Sequence, residues 1–133
     1  SFLGTPPMNL VEGTASNGVF TYKGPSGEKD PLTRDLPQRY STYEGRCTLG
    51  FRPENTGLKI GEEGGKFTIA GFESLGSETV VHLDHGDLRI SAVWHRPGPE
   101  ANHQITNRST SVKVVVEDQD IRLFDETGAA VQS

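Results

Sequence analysis

Apolar and polar residues alternate with a period of two along several short stretches of the chain. In residues 67–71 the apolar Phe67 and Ile69 share one face with Gly71, and residues 88–94 repeat the pattern. Successive side chains of a strand point to opposite faces, so each stretch is predicted to be a β-strand. A third run, at 79–83, lies between them, and the three together predict an antiparallel meander.

Further strands are predicted at residues 10–15, 19–22, 47–52, 112–116 and 121–124. The first two flank Asn17-Gly18, a dipeptide typical of tight β-hairpin turns. Gly76 is expected to supply a positive φ at a turn or bulge, and the turn that follows residue 83 is expected to include His85.

Short strands separated by turns predict an all-β domain closed into a small barrel, because exposed strand edges must be paired or covered. The expected core residues are Phe67, Ile69, Val81, Leu83, Leu88, Ile90, Val112 and Val114.

Three stretches have no clear strand pattern. Residues 24–37 are polar and contain Gly and Pro, so we interpret them as a solvated loop. Tyr40 and Tyr43 are three residues apart, which fits either a short helical turn or an irregular approach to the next strand. Residues 56–65 are interpreted as another turn-rich connector, in which Glu62 and Glu63 form a solvated acidic pair.

The composition agrees with one small β domain. The 133 residues include 16 Gly and 8 Pro, and only 32% are hydrophobic, with a mean hydropathy of −0.52. The net charge is −5, and Lys and Arg are scattered along the sequence. This pattern argues against an OB-type nucleic-acid-binding function and against binding to an anionic membrane surface, since both need clustered positive charge on the protein.

The sequence offers little catalytic chemistry. The single cysteine, Cys47, is most simply a small buried side chain, and no run of about 20 apolar residues predicts a membrane span. No phosphate-binding loop or nucleophile motif occurs, so we expect no ATPase activity and no tight nucleotide binding. His82 and Asp84 share a strand face, but four converging ligands are not evident, so no metal site is expected.

The segment at residues 49–54 reads Leu-Gly-Phe-Arg-Pro-Glu and ends a predicted strand. Pro53 lacks a backbone N–H and therefore stops the strand, leaving Arg52 and Glu54 on one face. Taken alone, the two charges are most simply a surface ion pair.

Three other segments accompany this one at characteristic spacings. They read Gly-Thr-Pro-Pro-Met-Asn at 4–9, Glu-Ser-Leu-Gly-Ser-Glu at 73–78, and Leu-Phe-Asp at 123–125 with Thr-Gly at 127–128. In this order the four resemble the C-terminal regulatory part of the ATP-binding subunits of carbohydrate-type ABC importers, the maltose and glycerol-phosphate group. That part contains a transport-associated OB (TOBE) domain, and the resemblance runs from about residue 2 to residue 131.

The resemblance implies an OB-like all-β fold with long polar loops and a role in regulation and dimerisation. It assigns residues 1–9 to a linker from a missing nucleotide-binding domain, which agrees with a sequence that starts at Ser1 without Met, and residues 10–133 to the regulatory domain. The motif positions with an implied structural or interface role are Gly50, Arg52, Pro53, Glu54, Leu75, Gly76, Glu78, Leu123, Phe124 and Asp125; none is catalytic.

The implied partners are a twin domain in an ATPase homodimer, permease subunits reached through the missing domain, and a regulatory protein. ATP and Mg would belong to the parent subunit, which would sit at the cytoplasmic face of the plasma membrane and serve a sugar or a glycerol phosphate. The alternative is an oxyanion-binding module, because related transport-associated domains bind molybdate.

The chain departs from the family pattern at two places. Asn55 stands where a His is common, and Ser109-Thr110-Ser111 stands where a Gly commonly opens a strand. These changes and the polar loop at 96–108 bear on contacts with regulators more than on the fold. The partner of Arg52 and Glu54 lies either within the domain or across a twofold interface, and we favour the first.

Overall fold

The computed structural model describes residues 6–61, 63–94 and 111–132. The first motif's opening residues, Glu62, His95, His103, the loop at 96–108, Ser109 and Thr110 therefore lie outside the described part of the chain. The described residues form ten strands in two antiparallel sheets of five.

The first sheet has the order β10-β4-β1-β2-β3. Its strands are β1 (Asn9–Ser16), β2 (Val19–Tyr22), β3 (Thr33–Asp35), β4 (Gly45–Phe51) and β10 (Arg122–Asp125). The second sheet has the order β5-β9-β6-β7-β8. Its strands are β5 (Thr56–Ile60), β6 (Phe67–Leu75), β7 (Glu78–His85), β8 (Leu88–Trp94) and β9 (Ser111–Val116).

Little of the described chain is helical. One short helix, α1, covers Pro25–Lys29, and 3₁₀ turns cover Gln38–Tyr40, Pro53–Asn55 and Asp118–Asp120. No helix in residues 6–61, 63–94 or 111–132 is long and apolar enough to cross a membrane.

The two sheets share one hydrophobic core. Leu49 of the first sheet and Ile121, next to β10, lie in the same buried cluster as Leu83 and Ile90 of the second sheet. The edge strands of the second sheet, β5 and β8, also contact each other. The predicted all-β, OB-like small domain is thereby confirmed.

The predicted core residues lie in this interior. Phe67, Ile69, Val81, Leu83, Ile90 and Val112 are buried, whereas Leu88 and Val114 are partly buried and pack against the others. The burial pattern confirms the strand register on which the prediction depended.

The predicted turns are present. Asn17 (φ 53°) and Gly18 (φ 77°) connect β1 to β2, and Gly76 (φ 69°) lies in the turn between β6 and β7. All three backbones are left-handed, as the hairpin turns require. The predicted meander is also present, since β6 pairs with β7 and β7 with β8.

Two details of the meander prediction are wrong. A bulge between Ile69 and Gly71 shifts the register, so Gly71 pairs with His82 and does not continue the face of Ile69. His85 lies in β7 itself, and the turn consists of Gly86 (φ 59°) and Asp87.

His85 is a buried link between three segments. Its Nδ1 lies 2.8 Å from the carbonyl oxygen of Lys66, and its Nε2 lies 2.9 Å from that of Asp30. The ring also contacts Tyr22 edge-on and Phe67 at a tilt. A histidine expected in a turn thus ties β7 to the chain preceding β6 and to the end of α1.

The interpretation of residues 24–37 as a solvated loop is wrong. Within it, α1 packs on the turn between β7 and β8: Ser26 donates from its amide to Asp87 Oδ1 (3.0 Å) and from its hydroxyl to the His85 carbonyl oxygen (3.0 Å). Lys66 Nζ also lies 2.6 Å from Asp30 Oδ1. Hydrogen bonds with partners distant in sequence, which local composition does not reveal, hold this segment in place.

Of the two alternatives for residues 38–44, the short helical turn is confirmed. The 3₁₀ turn Gln38–Tyr40 buries Tyr40, and Tyr43 packs against the same core. Both rings therefore belong to the protein interior, as is common for aromatic pairs.

Candidate functional site

Strand β4 lies at the centre of the family motifs. It pairs with β1 on one side, where Asn9 faces Phe51, and with β10 on the other, where Arg122 faces Gly50. The first, second and last motifs, which are far apart in the sequence, therefore meet on three adjacent strands.

The first, second and last motifs come closest to one another at Gly50. A Cβ atom at this position would lie 2.8 Å from Met8 Sδ, 2.8 Å from Phe124 Cε2 and 3.4 Å from Leu10 Cδ2. The side chains of the first and last motifs thus cover the backbone of Gly50, and a larger residue would displace them.

The last motif closes a tight loop. Asp125 Oδ1 accepts hydrogen bonds from the Thr127 amide (2.9 Å), the Thr127 hydroxyl (2.6 Å) and the Ala129 amide (3.0 Å). These bonds, those from Thr127 first, hold the pKa of Asp125 below its usual value. Gly128 has a φ of 89°, so the Thr-Gly pair fits the turn that Asp125 organises.

Arg52 and Glu54 project from the end of β4 and are exposed, whereas Pro53 between them is buried. The backbone there is held firmly, because the Arg52 carbonyl oxygen accepts bonds from the Asn55 amide (3.0 Å) and the Thr56 hydroxyl (2.8 Å). Neither charged side chain has a hydrogen bond or ion pair with any described residue. An intramolecular partner, which we favoured from the sequence, is thus not found among the described residues.

Glu54 lies at the edge of a groove of about 550 Å³. Its floor includes Val93, Trp94 and Val115, and Glu117 lies on it as a second carboxylate. The motif thus places the Glu54 carboxylate beside a groove with apolar lining residues.

The third motif lies in the other sheet. Leu75 pairs with Glu78 across the two-residue turn that begins at Gly76, and this hairpin exposes Leu75 (44%) and Phe72 (50%). The four motifs therefore form two groups, with three in the β1-β4-β10 region and one at the tip of β6 and β7.

No group of three or more His, Cys, Asp or Glu in the described ranges could hold a metal. His82 bonds to Ser91 Oγ (3.0 Å) and to Glu73 Oε1 (2.8 Å) instead. Cys47 is buried, and this burial raises the pKa of its thiol to about 11, which suppresses the reactive thiolate.

A polar cleft of about 200 Å³ contains both basic and acidic side chains. Lys23 and Arg46 line it, but so do Glu12 and Glu126. The two carboxylates oppose an anion, so this cleft gives the molybdate-type alternative no support.

The chain is similar to several ATP-binding import proteins, although no family model matches it. It is 33% identical over 135 residues to the sn-glycerol-3-phosphate import ATP-binding protein UgpC of Escherichia coli (strain K12), covering 98% of this chain and 35% of the relative. The UgpC protein of Salmonella typhi is 32% identical over 135 residues with the same shares. That of Salmonella choleraesuis (strain SC-B67) is 35% identical over 104 residues, which is 76% of this chain and 28% of the relative.

The chain thus spans about one third of the length of these relatives. Two of these matches extend over 98% of the chain, and the order of the four motifs had indicated the same group. The chain is therefore homologous to part of the ATP-binding subunits of glycerol-phosphate-type ABC importers.

Proposed function

We propose that this chain is the regulatory and dimerisation domain of the ATP-binding subunit of an ABC importer, with a glycerol phosphate or a sugar as the transported substrate. The support is the similarity over 98% of the chain to proteins named as sn-glycerol-3-phosphate import ATP-binding proteins. ATP hydrolysis with Mg, and contact with permease subunits at the cytoplasmic face of the membrane, would belong to the rest of the parent subunit.

The observation that carries the dimerisation role is the exposure of Arg52 and Glu54. Both side chains lie on a rigid support, and neither has a partner in the described part of the chain. In a twofold interface the same patch meets itself, so Arg52 of each copy can bind Glu54 of the other. The guanidinium fork suits such a carboxylate contact.

Sedimentation equilibrium of the full chain tests this role. We expect wild type to self-associate, and Arg52→Glu to weaken the association because it opposes two carboxylates across the interface. The exchange of both residues, Arg52→Glu with Glu54→Arg, should restore association, since the contacts are reciprocal. Arg46→Glu on the same strand is the matched control, and it should associate like wild type.

Chemical unfolding of the same variants separates assembly from folding. Because Arg52 is exposed, Arg52→Glu should change the free energy of unfolding by no more than about 0.5 kcal/mol. A chain that stays monomeric at millimolar concentration, or an Arg52→Glu variant that associates normally, would contradict the proposed interface.

We also propose that this chain by itself binds no nucleotide tightly. A calorimetric titration with ATP and Mg should give no heat of binding at micromolar concentration. A stoichiometric complex would show that the chain has nucleotide-binding groups that its motifs do not reveal.

A further inference from the structure

Two arginine side chains converge on a single carbonyl oxygen beside β10. Arg39 donates from Nη2 to the carbonyl oxygens of Asp118 (2.9 Å) and Ile121 (2.6 Å). Arg122 donates from Nη1 to those of Gln119 (2.9 Å) and Ile121 (3.0 Å). Because both groups bond to the Ile121 oxygen, the two positive charges are close neighbours.

No carboxylate in the described ranges neutralises this pair. Neither guanidinium forms an ion pair with a described residue, and the nearby Asp118 carboxylate is bound to Arg34 at 3.0 Å. Neighbouring like charges repel each other, and an anion between them would remove that cost. This locally positive site belongs to a chain whose net charge is −5.

The arginines border a surface cleft of about 440 Å³, and none of the described residues that line it is acidic. Carbonyl oxygens of the 3₁₀ turn Asp118–Asp120 and its neighbour fix one nitrogen of each guanidinium. The remaining N–H groups, on Nε and Nη1 of Arg39 and on Nε and Nη2 of Arg122, have no acceptor in the described part of the chain. The donors are therefore oriented and available.

The other described residues that line the cleft are uncharged. Leu123, Phe124 and Val131 provide an apolar floor, and Gln119 and Gln132 provide two side-chain amides. A free inorganic anion would leave that floor uncovered. A peptide would use every part, because its carboxylate, apolar side chain and main chain match the guanidiniums, the floor and the amides.

We propose that this cleft binds a segment of a partner protein in which an Asp or Glu adjoins an apolar side chain. The charge of the cleft selects an acidic partner, and the floor selects the neighbouring apolar residue. Arg39 and Arg122 hold the carboxylate, each through a charge-assisted hydrogen bond. The contact uses neither Arg52 nor Glu54, so it is independent of the proposed dimerisation.

The test is a nuclear magnetic resonance titration of the ¹⁵N-labelled full chain. The probe is a capped pentapeptide with one Glu between Leu and Phe, and the same peptide with Gln in place of Glu is its control. The Glu peptide should shift the amide signals of Leu123 and Val131 and bind about tenfold more tightly than the Gln peptide, as a charge-assisted bond implies.

Variants assign the binding to the arginine pair. Arg122→Gln and Arg39→Gln should each weaken binding of the Glu peptide about tenfold. Arg89→Gln is the matched control, because Arg89 is an exposed arginine that bonds Asp84 on the second sheet. If Arg39→Gln fails to fold, the peptide affinity of Arg122→Gln tests the proposal, since the Arg122 side chain is exposed.

Three results would overturn the proposal. The first is the absence of shifts around the cleft at millimolar peptide. The second is equal affinity for the Glu and Gln peptides. The third is inorganic phosphate that binds as tightly as the peptide and displaces it, which would make the cleft a site for a free oxyanion.

Discussion

Asn9 and Ser91 exchange two hydrogen bonds that join the two sheets. Asn9 Nδ2 donates to the Ser91 carbonyl oxygen at 2.8 Å, and the Ser91 amide donates to Asn9 Oδ1 at 2.8 Å. Asn9 is buried at the start of β1, and β8 is an edge strand. The last residue of the first family motif thus satisfies an otherwise open strand edge.

We predict that Asn9→Ala lowers the free energy of unfolding by about 2–4 kcal/mol, because it leaves the amide and carbonyl of Ser91 without partners. Urea unfolding followed by tryptophan fluorescence measures the change. The neighbouring exposed residue provides the control: Leu10→Ala should change the stability by less than about 0.5 kcal/mol. Similar losses for the two variants would contradict the proposed importance of the link.

Gly50→Ala should destabilise the domain by about 1–3 kcal/mol, since the new methyl group would meet Phe124 and Met8 at 2.8 Å. Thermal unfolding gives the comparison with Gly57→Ala, at an exposed position of β5, where the nearest atom to the new Cβ is 3.4 Å away. The Gly57 variant should keep the stability of wild type. Equal changes in stability for the two variants would mean that Met8 and Phe124 make room for the new methyl group at no cost in free energy.

Ile90→Ala should cost about 2–5 kcal/mol, because it removes a side chain that is 97% buried opposite Leu83 and leaves a cavity. Chemical denaturation measures this loss in the free energy of unfolding. The adjacent Arg89→Ala change removes an exposed side chain and should cost no more than about 1 kcal/mol. An Ile90→Ala variant within about 0.5 kcal/mol of wild type would show that the register of β8 is wrong.

Asp87 should contribute to acid sensitivity. Hydrogen bonds from Ser26 and then from Tyr22 lower its pKa from 3.8 to about 2. The folded-state pKa is depressed, so the contribution is complete above about pH 4 and is lost as the pH falls towards 2. We predict that Asp87→Asn is less stable than wild type at pH 7 and that the difference shrinks between pH 4 and pH 2.

A series of urea titrations at fixed pH values checks this prediction. Asp35→Asn serves as the control, since Asp35 is exposed and its carboxylate has no hydrogen bond to a described residue. Asp35→Asn should keep the loss of stability that Asp87 causes between pH 4 and pH 2. A difference in stability between Asp87→Asn and wild type that stays constant down to pH 2 would contradict the proposed contribution of the Asp87 carboxylate.

Most strands were predictable because they have a local signal, but β3 and β5 were missed, since their residues were interpreted as part of a loop and of a turn-rich connector. Asn17-Gly18 defines a hairpin, and the alternation through Ile90 defines a buried face. The bulge after Ile69 was not predictable, because a one-residue shift depends on how β6 meets β7 and leaves no mark in the alternating pattern. The packing of α1 was missed for a similar reason, since Ser26 finds Asp87 only through the fold.

The candidate site was likewise predicted only in part from the sequence. Pro53 predicted where β4 stops, and the charges beside it were recognised from the motif. The sequence did not reveal that Arg52 has no partner among the described residues, since alternation gives the face of a residue and not what contacts it. The pair formed by Arg39 and Arg122 has no sequence signal, because the two residues come together only when β10 joins the first sheet.

The position of β4 between β1 and β10 also determines when this domain can mature. Strand β10 is the last described strand along the sequence, so the first sheet lacks this edge strand until residues 122–125 have left the ribosome. Pairing β10 with β4 joins segments that are far apart in the sequence, which is a non-local and therefore slow step. A nascent chain that stalls before Arg122 would expose β4 to pairing with other chains, so β10 has to be synthesised before β4 is protected from aggregation.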